Sequence, residues 1–202
     1  MPNNIPTYLT WLRIVLIPLL IALYYIPVGW VQPVGRDLVA TVVFVVAAWT
    51  DWLDGYLARR WNETSAFGAF LDPVADKLMV AAALIVLVHM DRVDVLIAVV
   101  IIGREITISA LREWMAEIGA RKSVAVSMVG KIKTVAQMCA IPLLLYYEPI
   151  MGMNTAVIGT VSIYVAAVLT LWSMLYYMRS AWPYLVSRDK KEDNGPSSDA
   201  RR

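Results

Sequence analysis

Six long apolar stretches, at about residues 11–31, 37–60, 71–90, 93–116, 125–148 and 154–178, make up most of the chain. At about 1.5 Å rise per residue, each forms a helix able to cross a hydrocarbon layer about 30 Å thick. The first and last stretches are free of charge over most of their length, whereas the middle four each carry charge confined to one half. Asp51, Asp54, Arg59 and Arg60 fall late in the second, and Asp72, Asp76 and Lys77 fall early in the third. Arg104, Glu105, Arg112 and Glu113 fall late in the fourth, and Lys131 and Lys133 early in the fifth. Successive membrane spans run in opposite directions, so late, early, late and early all land on one side. The pattern predicts an all-α polytopic membrane protein with six transmembrane helices and one polar cavity, since intramembrane charge is tolerated where it lines such a cavity.

The basic residues orient this bundle. Arg59, Arg60, Arg112, Arg121, Lys122, Arg179, Arg188, Lys190 and Lys191 belong to the charged side, and the opposite loops contribute only Arg36 and Arg92. By the positive-inside rule the cavity and both termini face the cytosol. Trp30 on one side, and Trp11, Trp61 and Trp182 on the other, fit interfacial anchoring. The N-terminus has no basic region or cleavage site ahead of its apolar stretch, so a retained first span is expected, entered through a short interfacial segment from Met1 to Thr10.

Composition agrees with this class. Of 202 residues, 59 % are hydrophobic and 17 % charged, against roughly 45–50 % and 25 % in soluble domains. The length suits one domain, expected over residues 1–186, with 187–202 (SRDKKEDNGPSSDARR) a disordered cytoplasmic tail. Cys139 has no partner for an internal disulfide and reads as a small packed residue, and His89 reads as interfacial. Membrane lipids, not nucleic acid, are the expected surroundings.

Candidate chemistry concentrates in residues 51–76, DWLDGYLARRWNETSAFGAFLDPVAD. Asp51 and Asp54 are i,i+3 neighbours and Asp72 and Asp76 are i,i+4 neighbours, so each pair shares a helix face. A charge at mid-membrane costs roughly 2.5–3.5 kcal/mol on insertion scales, so four carboxylates need compensation. Two Mg²⁺ or Mn²⁺ ions would cancel about four negative charges through oxygen ligands alone. The competing reading, carboxylates at helix ends facing water, explains the charge but not the spacing. Around Asp72-Pro73 two geometries stay open, a helix N-cap followed by Pro or a running helix kinked at Pro73. Both leave Asp76 about one turn deeper than Asp72.

Written as D-x2-D-G-x2-A-R-x8-G-x3-D-x3-D, the segment resembles the signature of the CDP-alcohol phosphotransferase family, with every defining position present. Residues 4–14 (NIPTYLTWLRI), 104–117 (REITISALREWMAE) and 123–138 (SVAVSMVGKIKTVAQM) are similar to its bacterial members that act on sn-glycerol 3-phosphate. The resemblance implies a six-span homodimer of the bacterial inner membrane. Its implied activity is transfer of a phosphatidyl group from CDP-diacylglycerol to sn-glycerol 3-phosphate, releasing CMP. Asp51, Asp54 and Asp72 are then implied metal ligands, and Asp76 both a ligand and the candidate base. Gly55, Ala58, Arg59 and Gly68 are implied to bind CDP-diacylglycerol; small-residue helix packing is an equal reading for the glycines.

The acceptor phosphate needs cations of its own, and Arg104, Arg112, Lys131 and Lys133 are the candidates. Adjacent Arg104 and Glu105 could equally form a buried structural pair. Lys131 and Lys133 point about 200° apart on a regular helix, so one ligand can meet only one of them, and Lys131 is the expected choice. Alternatives are another acceptor (inositol phosphate, serine or a second lipid), an intramembrane prenyltransferase, and a cation carrier. Prenyltransferases place their Asp-rich motifs far apart, and a carrier needs a polar path to the other face.

Overall fold

The structure, a computed structural model, describes residues 5–27, 32–61, 66–120 and 128–193. Six helices organise them: α1 (Ile5–Ala22), α2 (Pro33–Trp61), α3 (Ala66–His89), α4 (Val95–Glu117), α5 (Met128–Tyr146) and α6 (Thr155–Asp193). No strand occurs among the described residues. By length and composition, Pro33–Leu57 and Thr155–Tyr184 can cross a membrane, and Tyr8–Ala22 and Ile132–Tyr146 are shorter apolar runs. Within α3 and α4, Asp72, Asp76, Lys77, Arg104, Glu105 and Arg112 interrupt otherwise apolar lengths.

The helix ends follow local chemistry. Pro33 opens α2 at the position where a missing N–H costs nothing. Asp94 caps α4, its carboxylate accepting from the Leu96 N–H at 2.7 Å. Gly119, at φ +76°, takes the left-handed conformation just beyond that helix. Two boundaries differ from expectation, and a third resolves an open choice. α1 already begins at Ile5, so Thr10 is helical and buried and does not sit in an interfacial lead. Pro73 lies inside α3, which settles the choice at Asp72 in favour of a continuous helix, with no Pro N–H to bond the Ala69 carbonyl. α6 continues through Ser187 to Asp193, where an irregular tail is expected. Cys139 is exposed, not packed.

α1 packs on α2 and α3, α4 on α3 and α6, and α5 on α2 and, most extensively, α6. The main core draws on all six helices, with Leu20, Phe44, Leu84, Leu87, Ile101, Ile141 and Leu144 among its fully or almost fully buried members. Gly159 brings α6 close to α5, since a Cβ there would stand 2.8 Å from the Leu144 side chain. A smaller cluster of Ile108, Met115, Tyr177 and Ala181 joins α4 to α6.

About 21 Å of helix rise from Asp51, the other end of α2 is closed by a polar clamp. Buried Asp37 receives Nη2 of Arg92. The Arg92 Nη1 donates to the Leu144 and Leu145 carbonyls at 3.0 and 2.7 Å, at the end of α5 where carbonyls lack helical partners. Its guanidinium also lies 4.4 Å from the Tyr147 ring centroid. Arg36 stacks on Tyr24 at 4.8 Å and its Nε sits 3.6 Å from Asp37. One arginine thus ties the start of α2, the α3–α4 turn and the end of α5. Breaking a buried pair on one side costs about 3–5 kcal/mol. Arg92→Met should therefore lower the unfolding temperature of the detergent-solubilised protein by many degrees, and more than Asp37→Asn, which leaves an acceptor in place. Unfolding curves that superpose on wild type would refute the clamp.

Candidate active site

Asp51 and Asp54 on α2 and Asp72 and Asp76 on α3 meet a third wall, α1, that the aspartate spacing does not announce. The Thr10 hydroxyl lies 3.2 Å from Asp54 Oδ2 and in close contact with Asp72 Oδ1. A hydroxyl carries one proton, so it cannot donate to both carboxylates at once. Asp54 is 3 % exposed and its Oδ1 is buried without a hydrogen-bond partner among the described residues. Two carboxylates crowding one proton, beside an unsatisfied buried oxygen, make a place that attracts positive charge.

Arg13, one turn beyond Thr10 on the same helix, partly answers that charge. It is 1 % exposed, with Nη1 2.9 Å from Asp51 Oδ1, at an angle outside hydrogen-bond geometry. Asp54 and Asp76 also lie within its electrostatic reach. Its Nε and Nη2 have no hydrogen-bond partner among the described residues.

Asp51, Trp52, Asp54, Gly55 and Asp72 line a pocket of about 310 Å³. An apolar groove of about 410 Å³ adjoins it, running between α2 and α5 past Phe44, Ala48, Trp49, Met138 and Pro142. Asp51 and Trp52 belong to both. Trp52 stacks on Tyr56 at 5.8 Å, and Arg60 donates to the Tyr56 hydroxyl at 2.8 Å. Asp76, one turn further along α3, is not among the residues that line this pocket. Of the expected donor-binding positions, Gly55 lines the pocket and Gly68 is buried, while the side chains of Ala58 and Arg59 lie outside the described part.

Three of these aspartates share one cavity, and their all-oxygen donor set with the unpartnered Asp54 oxygen suits a hard divalent cation. Among the described residues, no three acidic, histidine or cysteine side chains form a finished cage around one point.

A second cluster joins α4, α5 and α6. Glu105 receives the Lys133 ammonium and lies 3.6 Å from Arg104 Nη1. Arg104 Nη2 donates to Ser173 Oγ at 2.9 Å, and Arg112 Nη2 donates to the Tyr177 hydroxyl at 3.2 Å. Lys133 is 2 % exposed and turned into the bundle, within electrostatic reach of Asp76. The expectation that Lys131 takes this place and Lys133 points away is therefore not what the helix phase gives; the Lys131 side chain lies outside the described part. Arg104 does pair with Glu105, yet that carboxylate is shared with Lys133.

Thr10, Arg13, Glu105, Ser173 and Tyr177 are the contributors that the aspartate motif does not reveal. Arg13 had a signal, as the lone charge in the first apolar stretch. Tyr177 had none, being one aromatic among several in an apolar helix.

The CDP-alcohol phosphatidyltransferase family matches residues 3–172. A relative from Yersinia enterocolitica, a CDP-diacylglycerol–glycerol-3-phosphate 3-phosphatidyltransferase, is 50 % identical over 188 residues, covering 92 % of this chain and 99 % of that protein. Proteins of the same name from Salmonella choleraesuis and Shigella flexneri are each 51 % identical over 183 residues, covering 90 % of this chain and 96 % of theirs. Similarity that runs from α1 into α6 is far longer than the aspartate motif, and the chain belongs to the CDP-alcohol phosphatidyltransferase family.

Proposed function

We propose that this chain transfers the phosphatidyl group of CDP-diacylglycerol to the hydroxyl of sn-glycerol 3-phosphate, yielding phosphatidylglycerophosphate and CMP. The observation that carries this is the continuity of the carboxylate pocket with the apolar groove through Asp51 and Trp52. A substrate that fits both has a pyrophosphate at one end and hydrocarbon at the other. The activity for which the relatives are named supports the same substrates.

In this reaction the acceptor oxygen bonds to the phosphatidyl phosphorus and the bond to the CMP oxygen breaks. Asp51, Asp54, Asp72 and Asp76 would hold Mg²⁺ or Mn²⁺, two ions being expected. Such ions supply charge stabilisation for the pyrophosphate and the departing CMP. Asp76, one turn deeper and facing Lys133, accepts the acceptor's hydroxyl proton. Gly55 leaves room for the donor against the α2 backbone, and Arg59 reaches the donor phosphates. Arg104, Arg112 and Lys133 hold the acceptor phosphate.

All six helices cross the inner membrane of a bacterium, the cavity opens to the cytosol, and the protein works as a homodimer. The count of basic residues supports this orientation, since only Arg36 and Arg92 belong to the opposite loops. The direct test is purified protein in detergent with labelled CDP-diacylglycerol and a panel of acceptors, the lipid products being identified by mass. Glycerol 3-phosphate should be the acceptor used, and preference for inositol phosphate or serine would overturn the assignment.

Asp51→Asn, Asp54→Asn, Asp72→Asn and Asp76→Asn should each abolish transfer while the protein still inserts and purifies normally. Chelation should stop the wild-type reaction, and Mg²⁺ or Mn²⁺ should restore it. Near-normal turnover by any one variant at saturating metal would remove that aspartate from the ligand set.

The cavity side can be read chemically. Exposed Cys139 is first replaced by Ser, and a cysteine is then placed at Thr64 in the α2–α3 connection. Impermeant thiol reagents should label it in inside-out vesicles and not in intact cells; the reverse pattern would invert the topology.

At the acceptor site, charge-assisted hydrogen bonds contribute roughly 1.5–3 kcal/mol each. Arg104→Gln, Arg112→Gln and Lys133→Gln should therefore raise KM for glycerol 3-phosphate about ten- to a hundredfold, with KM for CDP-diacylglycerol little changed. Lys131→Gln should do less than Lys133→Gln. Equal losses toward both substrates would show collapse of the bundle and not loss of an acceptor contact.

A further inference from the structure

We infer that Tyr177, with Ser173 one turn before it on α6, is the positioning element that makes a phosphate-binding pair of Arg104 and Arg112 and so selects a phosphorylated acceptor. This rests on the proposed acceptor. Arg104 and Arg112 are separated by about 12 Å of helix rise along α4, yet both guanidinium groups converge on one ring, at 5.8 and 5.1 Å from the Tyr177 centroid. Ile108, midway between them on α4, and Tyr177 belong to the same small buried cluster. Tyr177 is 0 % exposed, so its ring has no freedom to follow the arginines, and they must follow it.

Each contact fixes direction as well as distance. The phenol oxygen accepts from Arg112 Nη2. Ser173 gives its own proton to the Thr170 carbonyl at 2.9 Å, leaving a lone pair aimed at Arg104 Nη2. The ring's negative face attracts both cations and offsets their mutual repulsion. None of these partners carries a charge, so none neutralises the arginines. Glu105, the carboxylate nearest Arg104, is engaged by Lys133, and Arg112 has no ion pair among the described residues. The Nε atoms of both arginines are buried and without a hydrogen-bond partner there. Held apart, oriented and left charged, the pair suits a dianionic phosphate. An acceptor without a phosphate would leave these donors unpaired, which is how a polar site rejects an analogue lacking the matching group.

The test is steady-state kinetics of Tyr177→Leu, Tyr177→Phe and Ser173→Ala in detergent, each with glycerol 3-phosphate and with glycerol, beside Arg104→Gln and Arg112→Gln. Tyr177→Leu should raise KM for glycerol 3-phosphate about tenfold while KM for CDP-diacylglycerol and kcat stay near wild type. The preference for glycerol 3-phosphate over glycerol should fall by the same factor. Tyr177→Phe keeps the ring and loses the oxygen, so it should raise that KM only about threefold, and it serves if the leucine variant does not fold. Ser173→Ala should act similarly. Parallel rises in both KM values, or a loss of thermal stability with unchanged KM, would reduce Tyr177 to a packing residue and overturn the inference. If the arginine variants weaken glycerol 3-phosphate and the Tyr177 variants do not, the inference fails while the proposed acceptor stands. If wild type does not use glycerol 3-phosphate at all, the functional reading itself fails.

Discussion

Asp54 and Asp72 reach toward the same Thr10 hydroxyl from two helices, and much of the bundle can be understood as what is needed to hold them there. Carboxylates that share one proton in an apolar setting repel, and the desolvation cost of each adds to the repulsion. α2 and α3 alone cannot contain that stress, because their own charges supply it. α1 contains it by placing Thr10 between the carboxylates and Arg13 beside Asp51. The first helix is therefore part of the site and not merely an anchor. One arginine against several carboxylates, with an Asp54 oxygen left unsatisfied, leaves the cluster short of positive charge, the condition under which divalent cations bind through oxygen ligands.

Such a site needs a rigid frame, and the frame is assembled away from it. At one end Arg92 bonds Asp37 and the terminal carbonyls of α5, spending its charge entirely on structure. Between, α5 and α6 approach closely at Gly159, and aliphatic side chains from every helix fill the core. The consequence is a division of labour along the bundle axis, with packing at one end and unspent charge at the other. Binding loops and active sites are drawn from regions that are not optimised for stability.

The sequence carried the helical class, the six elements and the meeting of Asp51, Asp54 and Asp72 because each rests on a local or periodic signal. Apolar length reads directly as a helix, and Asp51, Asp54, Asp72 and Asp76 announce themselves by standing where charge is costly. What it could not carry was helix phase relative to neighbours. Lys131 and Lys133 are distinguishable only once α5 is rotated within the bundle, and the rotation found buries Lys133 beside Glu105. Pro73 was ambiguous for a similar reason, since a proline reads alike at the start of a helix and inside a kinked one. Ser173 and Tyr177 were invisible because a hydroxyl and a phenol in an apolar helix gain meaning only from the arginines across the interface.

Charge accounting links the two clusters. Asp51, Asp54 and Asp72 with Arg13 leave the carboxylate pocket at −2, and two divalent cations there would bring it to +2, the charge that the proposed pyrophosphate donor calls for. On the side proposed for the acceptor, Arg104, Arg112 and Lys133 against Glu105 leave +2, which matches a phosphate dianion without any metal. Two sites of such composition would attract each other's ligands unless something negative stood between them. Asp76 occupies that position, within electrostatic reach of Arg13 on one side and Lys133 on the other. A carboxylate there separates the two positive fields. In the proposed reaction a carboxylate so placed is the natural acceptor of the hydroxyl proton, and moving it to either cluster would merge the fields and lose the distinction between donor and acceptor.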